Sequence, residues 1–163
     1  MIDDTDKRHL LRCIDLAQEA LDAGDEPFGS MLVAADSRVL FEDRNRVSGG
    51  DHTRHPEFAI ARWAAENLPE AQRRGAVVYT SGEHCPMCSA AHAWVGLGRI
   101  VYAASAAQFT RWRAELGATP GRVRPLAIQD VIDDIAVDGP VEAFAERVKA
   151  LHVASYRRST GQQ

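Results

Sequence analysis

Apolar side chains recur at Leu10, Cys13, Ile14, Ala17 and Leu21. That spacing is close to 3.6 residues, so Asp6 to Ala23 is predicted to be an amphipathic helix, stopped by Gly24. The period then changes. Ser30 to Ala35 and Val39 to Arg46 are strand-like, and Asp36-Ser37 between them supplies a turn, which predicts a hairpin. Ser48-Gly49-Gly50-Asp51 has the composition of a loop. Helical spacing returns over Pro56 to Asn67, followed by a short buried strand over Ala76 to Ser81. A helix over Cys85 to Leu97 ends at Gly96 and Gly98, and Arg99 to Ala104 is a further strand. Ala106 to Leu116 is predicted as helix, with Gly117 to Gly121 as a break. The last elements predicted are a strand over Arg124 to Ile128 and a helix over Val141 to Arg157, with Ser159 to Gln163 expected as a disordered tail.

Strands alternating with helices through the centre imply a sheet covered on both faces. The first two strands are antiparallel by their short turn, and the later ones can run parallel through helical crossovers. The expected fold is a three-layer α/β/α sandwich around a five-stranded mixed sheet. A length of 163 residues fits one domain spanning 1–163, with no repeat and no low-complexity linker.

Composition narrows the class. With 45% hydrophobic and 26% charged residues the chain is that of an ordinary globular protein. No apolar run approaches the roughly 18 residues of a membrane span, and Met1 to His9 is acidic and polar, unlike a signal peptide. A cytoplasmic location is therefore expected, with no membrane partner. The formal net charge is −4, whereas a protein gripping a polyanion usually presents a basic surface. Arg111, Arg113, Arg122 and Arg124 are the arginines available for such a patch, and a solvated face is the expectation for them. The balance favours a small neutral substrate over nucleic acid. Three cysteines make no even disulfide set; Cys13 lies in an apolar helical stretch and is expected to be a core thiol.

Two short segments carry the chemistry: His55-Pro56-Glu57 and Cys85-Pro86-Met87-Cys88. In each, proline stands where a first helical turn begins, a position at which its missing N–H costs nothing. Both ligand sets are thus placed at helix N-termini, where the helix dipole favours thiolates. Cys85 and Cys88 lie one turn apart and can share a metal. Two thiolates neutralise Zn²⁺, neutral His55 adds no charge, and three ligands leave a fourth position open to water, as catalytic zinc sites do. Glu57 shares a helical face with Ile60, Ala61, Ala64 and Leu68, so it points inward, an unusual place for an idle carboxylate. It is the candidate proton carrier. His84 is a competing ligand by position, His92 is expected to be packed or behind the ligands, and His52 belongs to the loop at the pocket mouth.

At these residues the chain resembles the cytidine-deaminase-like superfamily of zinc-dependent base deaminases, whose H-x-E and P-C-x-x-C signature the handful of residues above approximates. The nearer likeness is to the branch of guanine deaminases, cytosine deaminases and tRNA adenosine deaminases. It is carried by Pro27-Phe28-Gly29, by Asn45, by Asp51 to Glu57, by Tyr79 to Cys88 and by Val101 to Ala104, clearly over Leu10 to Ala104 and loosely beyond. The resemblance implies a homodimer with one zinc per chain on His55, Cys85 and Cys88, and Glu57 as the proton shuttle. It further implies that Asn45 hydrogen-bonds the base, that Phe28 and Trp94 line the pocket, and that Tyr156 closes over it. Three positions depart from the pattern: Pro56 replaces the usual Ala, and His52 and His84 replace usual prolines. They bear on the substrate more than on the reaction.

The expected activity is hydrolytic deamination of a free nucleobase or related amino-substituted heterocycle, guanine-like first, with cytosine analogues and aminotriazines after it. The alternatives are a tRNA adenosine deaminase, a nucleoside deaminase of the same fold, and a module whose zinc is merely structural.

Overall fold

The computed structural model describes residues 1–161, and the sheet at its centre has the strand order β2-β1-β3-β4-β5. Helix α1 (Asp4–Asp22) opens on a capping box in which Asp3 and Asp6 satisfy each other's backbone N–H groups. Its apolar stripe, Leu10, Cys13, Ile14 and Ala17, is fully buried. Strands β1 (Gly29–Val33) and β2 (Val39–Arg44) form the predicted hairpin. Next come α2 (Pro56–Asn67), α3 (Glu70–Gly75), β3 (Val77–Gly82), α4 (Pro86–Val95), β4 (Ile100–Ala104), α5 (Ala106–Glu115), β5 (Val137–Asp138) and α6 (Glu142–Thr160). β1 is antiparallel to β2 and β3, while β3, β4 and β5 run parallel, which gives the mixed sheet expected.

Three buried clusters flank the sheet, one of them formed by Ile100 and Tyr102 of β4 with Ile128 and Ile132. On one face Met31, Val33, Tyr79, Val101 and Ala103 meet α1, Trp112 of α5 and Ala145, Val148 and Leu151 of α6. On the other, Leu32 and Val78 meet Ile60, Ala61 and Ala64 of α2, with Ala91 and Val95 of α4 at the margin. Alternate strand residues face opposite layers, so the sandwich follows from the period of two.

Three expectations are corrected. The fifth strand is not at Arg124 to Ile128: residues 124–127 are loop, Ile128–Asp130 is a 3₁₀ turn, and Val137 pairs with Ile100 instead. Pro125 removes a ladder donor and Leu126 stays 37% exposed, so within this segment Ile128 alone is buried, against Ile100 and Tyr102. Helix α3 was not predicted; all of its six residues lie outside the core. Helix α6 continues through Ser159 and Thr160 to a left-handed Gly161 cap, where a disordered tail was expected; residues 162–163 of that tail lie outside the described residues. No helix among the described residues is long and apolar enough to cross a membrane.

Candidate metal centre and active site

His55 is the N-cap of α2 and Cys85 the N-cap of α4, each followed by proline at the first helical position. Neither side chain caps its own helix, so both are free to turn toward each other. The two helices pack against one another and bring their N-termini together beyond the end of β3. Nδ1 of His55 lies 3.6 Å from Sγ of Cys85 and 3.6 Å from Sγ of Cys88, and the two sulfurs are 3.5 Å apart. Zinc bonds of about 2.3 Å to sulfur and 2.0 Å to nitrogen at tetrahedral angles separate their ligand atoms by about 3.5–3.8 Å. The observed triangle has that size. Among the described residues these three form the one group of His, Cys, Asp or Glu side chains close enough to hold an ion.

The electrostatics suit a cation. The Cys88 thiol, hydrogen-bonded to Cys85, pulls the Cys85 pKa down to about 4, with further help from His55. The same contact, with burial and nearby Glu57, pushes Cys88 well up. His55 is raised to about 9, chiefly by its contact with Cys85. A basic imidazole and a ready thiolate are the donors that zinc takes.

Glu57 stands at the second position of α2 and is 5% exposed. Burial raises its pKa. Its Oε1 accepts a 2.8 Å hydrogen bond from the Thr80 hydroxyl, and its Oε2 faces Cys88 at 3.8 Å. It is therefore beside the ligand triangle and not part of it. Thr80 was not singled out in the sequence, because threonine at a strand position is ordinary. Its signal is a hydroxyl at an inward position, two residues beyond Val78 on the same face.

Asn45 is fully buried just after β2. Its Oδ1 accepts from the Val47 N–H at 3.1 Å, while Nδ2 has no partner. A buried orphan donor is costly unless something else accepts from it. Phe28 is half-buried, and its ring lies so close over Gly82 that a Cβ there would sit 3.0 Å from it. Glycine at 82 thus makes room for Phe28 at the site end of β3. The other side of Phe28 meets Phe109 and His152, with ring centroids 5.7 and 4.9 Å away.

Tyr156 and Phe28 both line a cavity of about 370 Å³ between α5, α6 and the loop before β1. That cavity also touches Val47, Phe109 and His152 but neither the ligand triangle nor Glu57. Trp94 is 89% exposed on α4 and lines no wall of this cavity. His84 is buried edge-on to His92 and lies outside the ligand triangle; His92 donates through Nε2 to the Gly98 carbonyl at 2.7 Å. His52 is exposed in the loop before α2. Cys13 is a buried core thiol. Of the four arginines, Arg113 lies over the Phe109 ring and bonds the Thr119 carbonyl, and Arg111 faces Glu115 at 3.9 Å. Arg122 and Arg124 are exposed on the loop after α5.

A three-layer sandwich with His/Cys/Cys at two helix N-termini and an unligated carboxylate beside them defines a zinc-dependent hydrolytic deaminase. The chain belongs to the cytidine and deoxycytidylate deaminase family, whose zinc-binding region matches residues 3–104. It is 29% identical over 150 residues to a protein of Schizosaccharomyces pombe named "Probable cytosine deaminase", covering 91% of this chain and 88% of that one. It is 37% identical over 97 residues to the guanine deaminase of Bacillus subtilis, covering 58% and 62% of the two chains. To the tRNA-specific adenosine deaminase of Agrobacterium fabrum it is 38% identical over 90 residues, covering 53% and 59%. Among solved structures, guanine deaminase from Nitrosomonas europaea superposes with a TM-score of 0.67 at 17% identity, covering 95% of this chain and 85% of that one. That likeness is one of fold.

Proposed function

We propose that this protein hydrolyses the exocyclic amine of a free nucleobase or a similar heterocycle, guanine-like first, and releases ammonia. The observation that carries the reading is the pairing of an unligated, buried Glu57 with the ligand triangle; the buried, unpartnered Asn45 Nδ2 supports it. His55, Cys85 and Cys88 would hold zinc, which when bound supplies an activated water nucleophile at neutral pH. Glu57 moves the protons: it takes one from the water, hands it to a ring nitrogen and assists the amine as it leaves. Its raised pKa suits a group that must hold a proton and release it. Asn45 Nδ2 donates to an acceptor on the base edge, and Phe28 walls one side of the ring.

Cytosine is the second reading, favoured by a near full-length match to the S. pombe protein. A tRNA substrate is disfavoured by the net charge of −4 and by the engagement of Arg111 and Arg113 within the chain. A nucleoside deaminase is tested alongside. Trp94, exposed on α4, suits a homodimer that covers it, and free thiols at 13, 85 and 88 suit a reducing cytoplasmic setting.

The test is product identification by mass spectrometry after incubation of the zinc-loaded protein with guanine, cytosine, adenine, their nucleosides and aminotriazines. Xanthine from guanine supports the first reading, and uracil from cytosine the second. Turnover of nucleosides alone contradicts both.

A further inference from the structure

The proposed reaction assigns no task to Thr80, yet its side chain is 0% exposed and touches the proton carrier. β1 and β3 place Ser30 opposite Thr80 and Leu32 opposite Val78, on the face that packs against α2. Deep in that layer the pair is apolar. One step toward the site it becomes two hydroxyls, both fully buried. Burying hydroxyls in place of methyl groups is costly unless they are hydrogen-bonded, so their arrangement is informative.

Ser30 Oγ lies 2.8 Å from Thr80 Oγ1. Thr80 Oγ1 lies 2.8 Å from Glu57 Oε1 and 2.9 Å from the Gly82 carbonyl oxygen. A hydroxyl has one proton to give. Ser30 gives its proton to Thr80, which leaves the Thr80 proton for Glu57 or for Gly82. A carboxylate is the stronger acceptor, so the Thr80 proton goes to Oε1. The other carboxylate oxygen is left facing the ligand triangle, 3.8 Å from Cys88 Sγ.

We infer that Thr80 is a positioning residue for deamination: its hydroxyl, steadied from behind by Ser30, fixes one oxygen of Glu57 so that the other faces the reacting atoms. This rests on the reading of Glu57 as proton carrier. A carboxylate on the first turn of a helix has several rotamers, and the Thr80 hydroxyl holds Oε1 in the one that leaves Oε2 facing Cys88. Misplacing a catalytic group by about 1 Å costs on the order of 10²-fold in rate. Substrate contacts would be untouched, so the loss belongs in kcat.

The experiment compares Thr80→Val, Thr80→Ser and Glu57→Gln with the wild type, on guanine, or on cytosine where that is the base turned over. Zinc content is measured on each. Thr80→Val is expected to keep its zinc, to lose about 10–100-fold in kcat, and to change KM less than about 3-fold. Thr80→Ser, which keeps the hydroxyl, is expected to recover to within about 3-fold of wild type. Ser30→Ala should lower kcat in the same direction by less. If Thr80→Val folds poorly because Ser30 is left unpartnered, Ser30→Ala/Thr80→Val removes both hydroxyls together, and the same kcat loss is expected. Equal losses in Thr80→Val and Thr80→Ser, a change confined to KM, or wild-type kcat in zinc-loaded Thr80→Val overturns the inference. An active Glu57→Gln instead overturns the reading of Glu57, so the two failures are distinct.

Discussion

The backbone N–H of Asn45 donates to the carbonyl oxygen of Phe28 at 2.9 Å, tying the end of β2 to the residue that precedes β1. The hairpin thus delivers one polar and one aromatic side chain to the same end of the sheet. Asn45 Nδ2 is buried without a partner, so a base acceptor meeting it gains a bond that costs no competing one. Asn45→Ala is expected to lower kcat/KM by about 10–100-fold, mostly through KM, as steady-state kinetics would record.

Metal content follows from the ligand triangle. The wild type is expected to bind one zinc per chain, measured by plasma mass spectrometry. Cys88→Ser should retain little zinc, because its thiol is one of the three ligand atoms that lie within 3.6 Å of one another. Chelator treatment of the wild type should lower its thermal midpoint, since metal held by the folded state stabilises it by mass action.

His152 gives a pH prediction with a definite sign. Burial, with Arg113 nearby, lowers its pKa to about 3, and it packs against Phe28, Phe109 and Trp112. Unfolded histidine titrates near about 6.5, so above that pH both states are neutral and no penalty applies. As pH falls from about 6.5 toward about 3, the unfolded chain gains a proton that the folded chain refuses, and stability drops by about 1.4 kcal/mol per pH unit. His152→Phe should flatten this slope by close to one proton in urea unfolding between pH 6 and 4. An unchanged slope would show that His152 is protonated in the fold.

Asp6 ties three elements together. It accepts from Tyr79 Oη at 2.7 Å and from both terminal nitrogens of Arg99 at 3.0 and 2.9 Å, while it also caps α1. Burial opposes its ionised form, and the bonds from Arg99 and Tyr79 overcome that and leave its pKa lowered. Asp6→Ala leaves the Tyr79 hydroxyl and the two terminal nitrogens of Arg99 without this partner, while Arg99 Nε keeps Asp138 at 2.8 Å, and a loss of about 1–3 kcal/mol is expected in chemical denaturation.

How much of this was legible in the sequence depends on how local each feature is. His55-Pro56-Glu57 and Cys85-Pro86-Met87-Cys88 encode their own geometry, since a proline at the first turn fixes the helix start and a spacing of three fixes a shared face. The α1 stripe at Leu10, Cys13, Ile14 and Ala17 was likewise plain. β5 was not, because a two-residue strand has no period, and its place is set by Val137 meeting Ile100 on β4. The Ser30–Thr80 pair was invisible for the same reason: each residue is unremarkable alone, and only the register of β1 on β3 joins them. Trp94 came from family resemblance, and its 89% exposure puts it on the surface of this chain. Tyr156 came the same way and does share a cavity with Phe28, though one set apart from the ligand triangle.

Glu57, beside a zinc that His55, Cys85 and Cys88 would hold, is proposed to drive release of ammonia from a free base. Ammonia release by zinc-loaded wild type and Glu57→Gln, measured side by side on guanine and cytosine, tests it most directly. Steady release from at least one base is expected of the wild type, with a fall of about 10²–10⁴-fold in Glu57→Gln at unchanged zinc content. No ammonia from either base with zinc bound, or equal rates in the two proteins, would contradict it.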